Sequence, residues 1–575
     1  MTFLKKFFKF IDITRKVVLN LFFLFALSFI AIIFLIEGKK EEAGSMIIFA
    51  PKKINETTNT SFSFFEKENY QLNLFEIISA IETSASKPDV EVLFMDLTYL
   101  DASFTGILEI GRAIEVFKKK GKKVIAYSDF FDKKNYLLAS YADSILMHRN
   151  GMVLLDGFSS QKPFIRKFLE KLDIGITTYI SGKYKSALDS LTRDTLSEED
   201  RLQTSFYLSE VWKAWKEIII KNRKKLSGQE IDKYVNNFGV FTKKFNGDTA
   251  ELSKSKGLID ILTVRTELKE YLSSLVKNKK ISLRDNLALS YDKKSSEHKI
   301  AVLVASGEII DGEYLEGAIS SENFSRVLNR INQDKSIKGL LLRINSPGGS
   351  GFASEVIRRR LEVLSKNIPV VISMADIAAS GGYWISMNKN KIIANPFTLT
   401  GSIGVWAALP NFKNSLENIG ILFDQISTNE LNISLLEPPN ENLSTFMQSY
   451  VDGSYDKFIK LVSNNRNLTL ESTEKVAQGR IWSGKSAVGK ELVDSLGVYQ
   501  DGIKILKNES GLLDYEIKFV STSPGIAEDL LASFNSFLNK SYSLFGYMRK
   551  IEIQKVPTKK IIDTNLICLA CPKLN

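Results

Sequence analysis

Two small-residue clusters carry the chemistry legible in this chain of 575 residues. One is Ala378-Ala-Ser-Gly-Gly-Tyr-Trp384, with Ser380 at its turn; the other, upstream, is Asn345-Ser-Pro-Gly-Gly-Ser350. The apolar run 368–373 leads toward Ser380 and reads as a buried strand, and Gly381 to Ser386 reads as the start of a helix. A serine at a strand-to-helix turn exposes its hydroxyl beside free N–H groups and the positive end of a helix. That setting suits a nucleophile. Gly381 and Gly382 let a substrate carbonyl come close to the main chain. Gly348 and Gly349, just after another strand, can present successive N–H groups to an anion, an oxyanion hole provided they face Ser380. The plain alternative for both clusters is a tight turn.

A serine hydroxyl is a weak nucleophile until a neighbouring base takes its proton. Histidine is the usual base, but the chain has two, His148 and His298, and both lie outside these clusters. His148 follows a strand-like run that it could cap, and His298 sits in a charged joint. A lysine can replace histidine where burial disfavours its ammonium. Most lysines are solvated surface charges, so chemistry alone singles out none.

The elements that must position these groups occur twice. Val90–Leu97 resembles Ile337–Ile344, Lys123–Tyr127 resembles Val370–Met374, and Tyr136–Ile145 resembles Tyr383–Ile392. Each pair is displaced by 247 residues (337 against 90, 370 against 123, 383 against 136). Each half alternates short apolar strands with amphipathic helices such as Ser354–Leu364, which predicts α/β units with buried, largely parallel strands. The halves are placed at 46–290 and 298–550, joined by the charged stretch Tyr291–His298, with a tail at 551–575.

Apolar content of 44% and charged content of 25% are those of a folded protein. The net charge of +11 is spread as scattered lysine without a basic run interleaved with aromatics, so nucleic acid is set aside as a partner. Residues 17–36 carry no charge and match the thickness of a bilayer core. No Ala-x-Ala-like cleavage site follows, so a retained anchor is expected. Lys5, Lys6, Lys9, Arg15 and Lys16 put residues 1–16 in the cytoplasm and the body across the membrane. In a bacterium that is an inner-membrane protein with its catalytic part in the periplasm.

The residues resemble the signal peptide peptidase A family, also called protease IV, in its long duplicated form. The resemblance rests on Asn345–Ser350, Ala378–Trp384, Thr398-Leu-Thr-Gly-Ser-Ile-Gly404, Tyr184-Lys-Ser-Ala187 and Gly479-Arg-Ile-Trp-Ser-Gly484, in the family's order along nearly the whole chain. It implies tandem ClpP/crotonase-like repeats, a Ser/Lys-dyad endopeptidase, and a membrane-anchored tetramer acting on cleaved signal peptides. Carried over, Ser380 matches the nucleophile, Lys185 the general base, and Ser402 the second serine that holds the lysine amine. Gly381 and the pair Gly348 and Gly349 match positions expected to supply oxyanion N–H groups. The repeat supports this assignment: the register counterpart of Lys185 is Asn432, that of Ser380 is Lys133, so each half keeps one member of a pair. One active site per chain, built between the halves, is expected.

Two further motifs point elsewhere. Gly479-Arg-Ile-Trp-Ser-Gly-Lys-Ser486 satisfies a phosphate-loop pattern, but a polar, helical stretch precedes it instead of a buried strand. Cys568 and Cys571 are too few for a tetrahedral zinc site within one chain; two chains could contribute a pair each, and a tail disulfide or free thiols are the other readings. Tyr383, Trp384 and Trp406 could line a groove for hydrophobic peptides or simply pack the core. The reading that follows is a serine endopeptidase without metal or cofactor. A non-catalytic membrane scaffold of the same fold is the alternative, and a crotonase-like enzyme acting on acyl thioesters is a third reading, disfavoured by export.

Overall fold

The structure is a computed structural model that describes residues 44–56, 72–276, 280–288, 296–429, 431 and 433–522, with a few positions between 15 and 27. Most of the apolar stretch 17–36, most of the joint 291–298 and the whole tail with Cys568 and Cys571 lie outside the described residues. Among the described residues no helix is long and apolar enough to cross a membrane.

The first half supplies β1 (Ser45–Phe49), β2 (Val90–Asp96), β3 (Lys123–Phe131), β4 (Ser144–Val153), β5 (Gly175–Ser181), β6 (Ile261–Thr263) and β7 (Lys280–Ser282). All but β5 form one sheet in the order β6-β4-β3-β2-β1-β7, parallel at every pairing. The second half supplies β8 (Lys299–Ser306), β9 (Glu308–Ile310), β10 (Ala318–Ser320), β11 (Ile337–Ser346), β12 (Val370–Ala379), β13 (Lys391–Ala394), β14 (Leu399–Gly401), β15 (Val405–Asn411), β16 (Ile481–Ser483), β17 (Ser495–Leu496) and β18 (Glu516–Val520). Its main sheet runs β16-β14-β12-β11-β8-β18, with only β16 antiparallel and β13 and β17 attached beside β12. Strands buried on both faces explain the near-continuous apolar runs of β11 and β12.

The repeat read from sequence is present in space. β2 and β11, β3 and β12, and β4 and β13 begin 247 residues apart (90 and 337, 123 and 370, 144 and 391). The same displacement relates the helices Arg166–Lys171 and Lys413–Glu417, so the register persists to that point. The halves share one apolar core, which runs from Ile47 and Leu93 through Leu341, Val371 and Phe397 to Tyr499. A second joint is β5, which leaves its own half and pairs antiparallel with β15 from Gly175–Asn411 to Ser181–Val405. The polypeptide after β5 is thereby carried into the second half.

Candidate active site

Ser380 follows β12 and precedes the helix Gly381–Ile385 with φ 54° and ψ −118°. This left-handed backbone is costly for a residue with a Cβ and marks stored strain. Neighbours fix it: the Ser380 N–H donates to Gly401 O at 2.9 Å, and Trp384 N–H donates to Ser380 O at 2.9 Å. The Pro-Gly-Gly turn lies against it. A Cβ on Gly348 would stand 2.8 Å from Ser380 Cβ and 2.7 Å from Gly381 N, so only glycine permits this approach.

The N–H groups sort themselves. Gly348 N–H donates to Ser346 Oγ at 3.2 Å. Ile309 is held at 2.8 Å by Gly348 O and by Ser350 N–H, which leaves the Gly349 N–H outside that bridge. Gly381 opens its helix, so its N–H has no intrahelical acceptor. The Cβ position of Gly381 is 3.2 Å from Gly349 N, which makes the Gly349 and Gly381 N–H groups neighbours beside Ser380.

The chain after β5 delivers Lys185, whose side chain is 7% exposed. Its Nζ lies 3.1 Å from Ser380 Oγ and 2.9 Å from Ser402 Oγ, and donates to Ser402 O at 3.0 Å. A glycine contact seats this segment as well: a Cβ on Gly479 would come within 2.7 Å of Lys185 Cβ. Gly479 N–H in turn donates to Ile403 O at 2.6 Å. Ser402 sits at φ 51° after Gly401 at the end of β14, its N–H donating to Arg480 O at 2.8 Å. Ser380, Lys185, Ser402, Gly348, Gly349 and Gly381 are therefore brought together.

Other singled-out residues are elsewhere. His148 lies within β4, its Nδ1 accepting from Asn150 N–H, and His298 N–H donates to Ser296 Oγ. Lys133, the register counterpart of Ser380, opens the helix Lys133–Ala139 and pairs with Asp156 at 2.9 Å. Tyr383 is fully buried with its hydroxyl on Leu492 O, Trp384 lies tilted against Phe458 and donates to Glu355, and Trp406 is paired with Ile180 across β15 and β5. Where a phosphate loop would hold its anion, Ser483 and Ser486 hydroxyls both donate to the Glu210 carboxylate at 2.6 Å. An anion is already seated there, and the element before the motif is the helix Leu470–Val476 and not a buried strand.

Sequence reasoning missed a buried ionic cluster behind the site. Arg343 on β11 is 1% exposed and pairs with Glu109 at 2.9 Å and Glu56 at 2.7 Å, both from the first half, and donates to Ser373 Oγ at 2.9 Å. Asp376, four residues before Ser380 on β12, accepts from Thr105 Oγ1 at 2.6 Å and Thr105 N–H at 3.2 Å. Burial pushes the Glu109 carboxyl up to about 7, outweighing Arg343, and raises Asp376 likewise. Burial works against the Arg343 charge, but Glu56 and Glu109 outweigh it and hold the guanidinium above its ordinary range. The cluster ties the strands bearing Gly348 and Ser380 to the helix Phe104–Lys119 of the first half. Its members have no characteristic spacing, so no sequence signal announces them.

An α/β protein with a serine on a strained strand-to-helix turn, an amine at 3.1 Å and paired glycine N–H groups has the build of a serine hydrolase. The model of peptidase family S49 matches residues 116–279 and 362–513, one segment in each half and together more than half of the chain. Protease 4 of Haemophilus influenzae is 33% identical over 600 residues, covering 97% of both chains. The chain belongs to peptidase family S49 and is a serine protease. It is also 29% identical to the chloroplastic serine protease SPPA of Arabidopsis thaliana, over 79% of this chain and 68% of that one. A putative signal peptide peptidase SppA of Enterococcus faecium is 34% identical, over 42% of this chain and 72% of its own length.

Proposed function

We propose that the protein is a membrane-anchored endopeptidase that hydrolyses cleaved signal peptides and other hydrophobic peptides with Ser380 as nucleophile and Lys185 as general base. The observation that carries this reading is the 3.1 Å approach of Lys185 Nζ to Ser380 Oγ, with Ser402 holding the amine from a second side. The neutral amine takes the Ser380 proton as Oγ adds to the scissile carbonyl. The Gly349 and Gly381 N–H groups donate to the oxyanion. Collapse expels the leaving amine, which takes from Lys185 the proton that Ser380 gave up, and leaves an acyl-enzyme. Water, deprotonated by the same amine, then releases the acid and restores Ser380.

Substrate and setting are finer parts of the proposal. An extended peptide would pair with a strand edge and place alternate side chains in pockets. The apolar stretch 17–36 would anchor the chain in a bacterial inner membrane, with the catalytic part on the periplasmic side where spent signal peptides reside. Tandem parallel units fit the ClpP/crotonase-like architecture that the family resemblance implies.

A homo-oligomer, a tetramer by that resemblance, is part of the same reading. The repeat equivalents of β5 and β15 are 422–428 and 158–164, and neither is a strand within one chain. The stretch around the first is apolar and bare, with Leu422 78% and Ile426 98% exposed. Pairing between copies, in the manner of β5 with β15, would cover it.

Mass spectrometry of the full chain treated with a serine-reactive acylating inhibitor tests the dyad. One adduct at Ser380, lost in Ser380→Ala and Lys185→Ala, is the expected result. A folded wild-type protein that takes no adduct would favour the scaffold reading.

A further inference from the structure

We infer that Arg480 binds a carboxylate of the substrate on the leaving-group side of Ser380, so that the enzyme favours peptides whose chain ends, or turns acidic, shortly after the scissile bond. This rests on the dyad proposed above.

Arg480 lies in the short connection between the helix Leu470–Val476 and β16. That connection touches both segments that hold the amine. Tyr184 N–H donates to Gln478 O at 2.7 Å, Gly479 abuts Lys185, and Ser402 N–H donates to Arg480 O. The guanidinium is fixed by rings: its Cζ is 4.3 Å from the Trp482 centroid, 5.1 Å from Tyr184 and 5.8 Å from Phe206. Stacking of this kind leaves the in-plane N–H donors of an arginine free for a planar anion.

Among the described residues the Arg480 side chain makes no ion pair, and its Nε is buried without a hydrogen-bond partner. Such a donor is rare in a folded protein and asks for an explanation. Other covered arginines of this chain are paired: Arg343 with Glu56 and Glu109, Arg358 with Glu355 and Glu362, Arg223 with Asp260. The nearby carboxylates are engaged elsewhere, Glu210 by Ser483 and Ser486, Glu474 by Tyr455 and Gln478. Lys490 Nζ, 4.1 Å from the Trp482 centroid, adds a second positive charge beside the same ring. The cage therefore presents positive charge and unused planar donors next to the proposed base.

Lys185 returns its proton to the departing amine, so its side of Ser380 is the leaving-group side. An extended chain advances ~3.3 Å per residue, so a carboxylate reaching the connection that bears Arg480 belongs to a residue shortly past the scissile bond. Two groups have the right chemistry, a terminal α-carboxylate and an Asp or Glu side chain. Recognition of the first would separate a peptide already cut free from the same sequence inside a longer chain.

The test uses the full chain in detergent and one peptide sequence with three residues after the cleaved bond. It is offered as the C-terminal acid, as the amide, and as the amide with Glu in the last position. We expect wild type to favour acid over amide at least tenfold in kcat/KM, mainly through KM. In Arg480→Gln that ratio should fall toward one, with Arg480→Lys between. If the Glu amide behaves as the acid, side-chain carboxylates are accepted; if it behaves as the plain amide, the site reads the chain terminus. A wild-type ratio near one, which needs no variant, overturns the inference, and so does a folded Arg480→Gln with the ratio unchanged. Ser380 acylation by an uncharged reagent is followed in parallel. Labelling with no acid preference sinks the Arg480 inference alone, whereas wild type without labelling sinks the dyad.

Discussion

Lys185 Nζ and Ser380 Oγ are 3.1 Å apart in space and 195 residues apart in sequence. The contact exists because β5 crosses from the first half to pair with β15, and because Gly479 lets the second half close over Lys185. One sheet from each half, the two packed on a shared core, thus contributes to the proposed reaction centre.

Removing either member should lower turnover severely while leaving the sheets intact. Lys185→Ala is expected to lower kcat/KM on a hydrophobic peptide by roughly 10²–10⁴, the range of a general base. Ser402→Ala should cost only about three- to tenfold, one hydrogen bond's worth, because Ser402 O still accepts from Lys185 Nζ. Steady-state kinetics on the two variants check the ranking, and a Ser402→Ala loss as large as that of Lys185→Ala would contradict it.

Gly348→Ala should damage activity and stability together. Its φ of 108° is unsuited to alanine, and the new Cβ would press on Ser380 Cβ and Gly381 N. A loss of about 1–3 kcal/mol in urea unfolding is expected, with Ser380 acylation slowed. Gly351→Ala, where a Cβ meets nothing within 4 Å, is the control and should leave stability nearly unchanged.

The buried cluster makes stability depend on Arg343. Arg343→Met leaves Glu109 and Glu56 facing each other without a cation and should cost about 3–5 kcal/mol. Urea denaturation at neutral pH reads this directly.

The same cluster sets a slope with pH. Glu109 titrates near 7 when folded because burial disfavours its charge, against 4.5 for the ordinary carboxyl. Between those values the folded state holds more protons than the unfolded one, so this group's contribution is fully present below about 4.5 and is lost as pH rises through 7. Stability of wild type should fall relative to Glu109→Gln across that window. Paired unfolding curves at pH 5 and pH 8 check it; a gap that widens in favour of wild type at the higher pH would mean that Arg343, not burial, governs Glu109.

Assembly is checked at Ile426. Ile426→Asp places a charge on a side chain that is 98% exposed in the single chain. It should leave the fold unaltered and reduce the mass seen by light scattering to that of one chain. An unchanged mass would exclude the stretch around 422–428 as the contact.

Much of this arrangement is written locally. The turn at Ser380, the Pro-Gly-Gly cluster and the alternation of apolar strands with helices are properties of contiguous residues, and a repeat of 247 residues is visible by inspection. Lys185 becomes legible only through the repeat and the family resemblance, since a lysine carries no local mark of being buried. Its register counterpart Asn432 lies outside the described residues and rests on the displacement of 247 alone, because β5 and β15 pair with each other and the 422–428 stretch keeps no strand to align. Glu109, Arg343 and Asp376 were illegible for a different reason. Their partnership is made by packing one half on the other, 234 residues apart for Glu109 and Arg343, and leaves no periodic trace. Arg480 stands in the sequence only as part of a motif, because the rings that fix it come from three separate segments.

The crossing of β5 also bears on biosynthesis. The amine-bearing half is made first and has nothing to activate; the serine-bearing half is made last and meets its base only once the two sheets have docked. On the proposed dyad, a nascent or truncated chain lacks a complete site and should be inert toward its neighbours. Peptidase chemistry would then be switched on by the completion of folding itself.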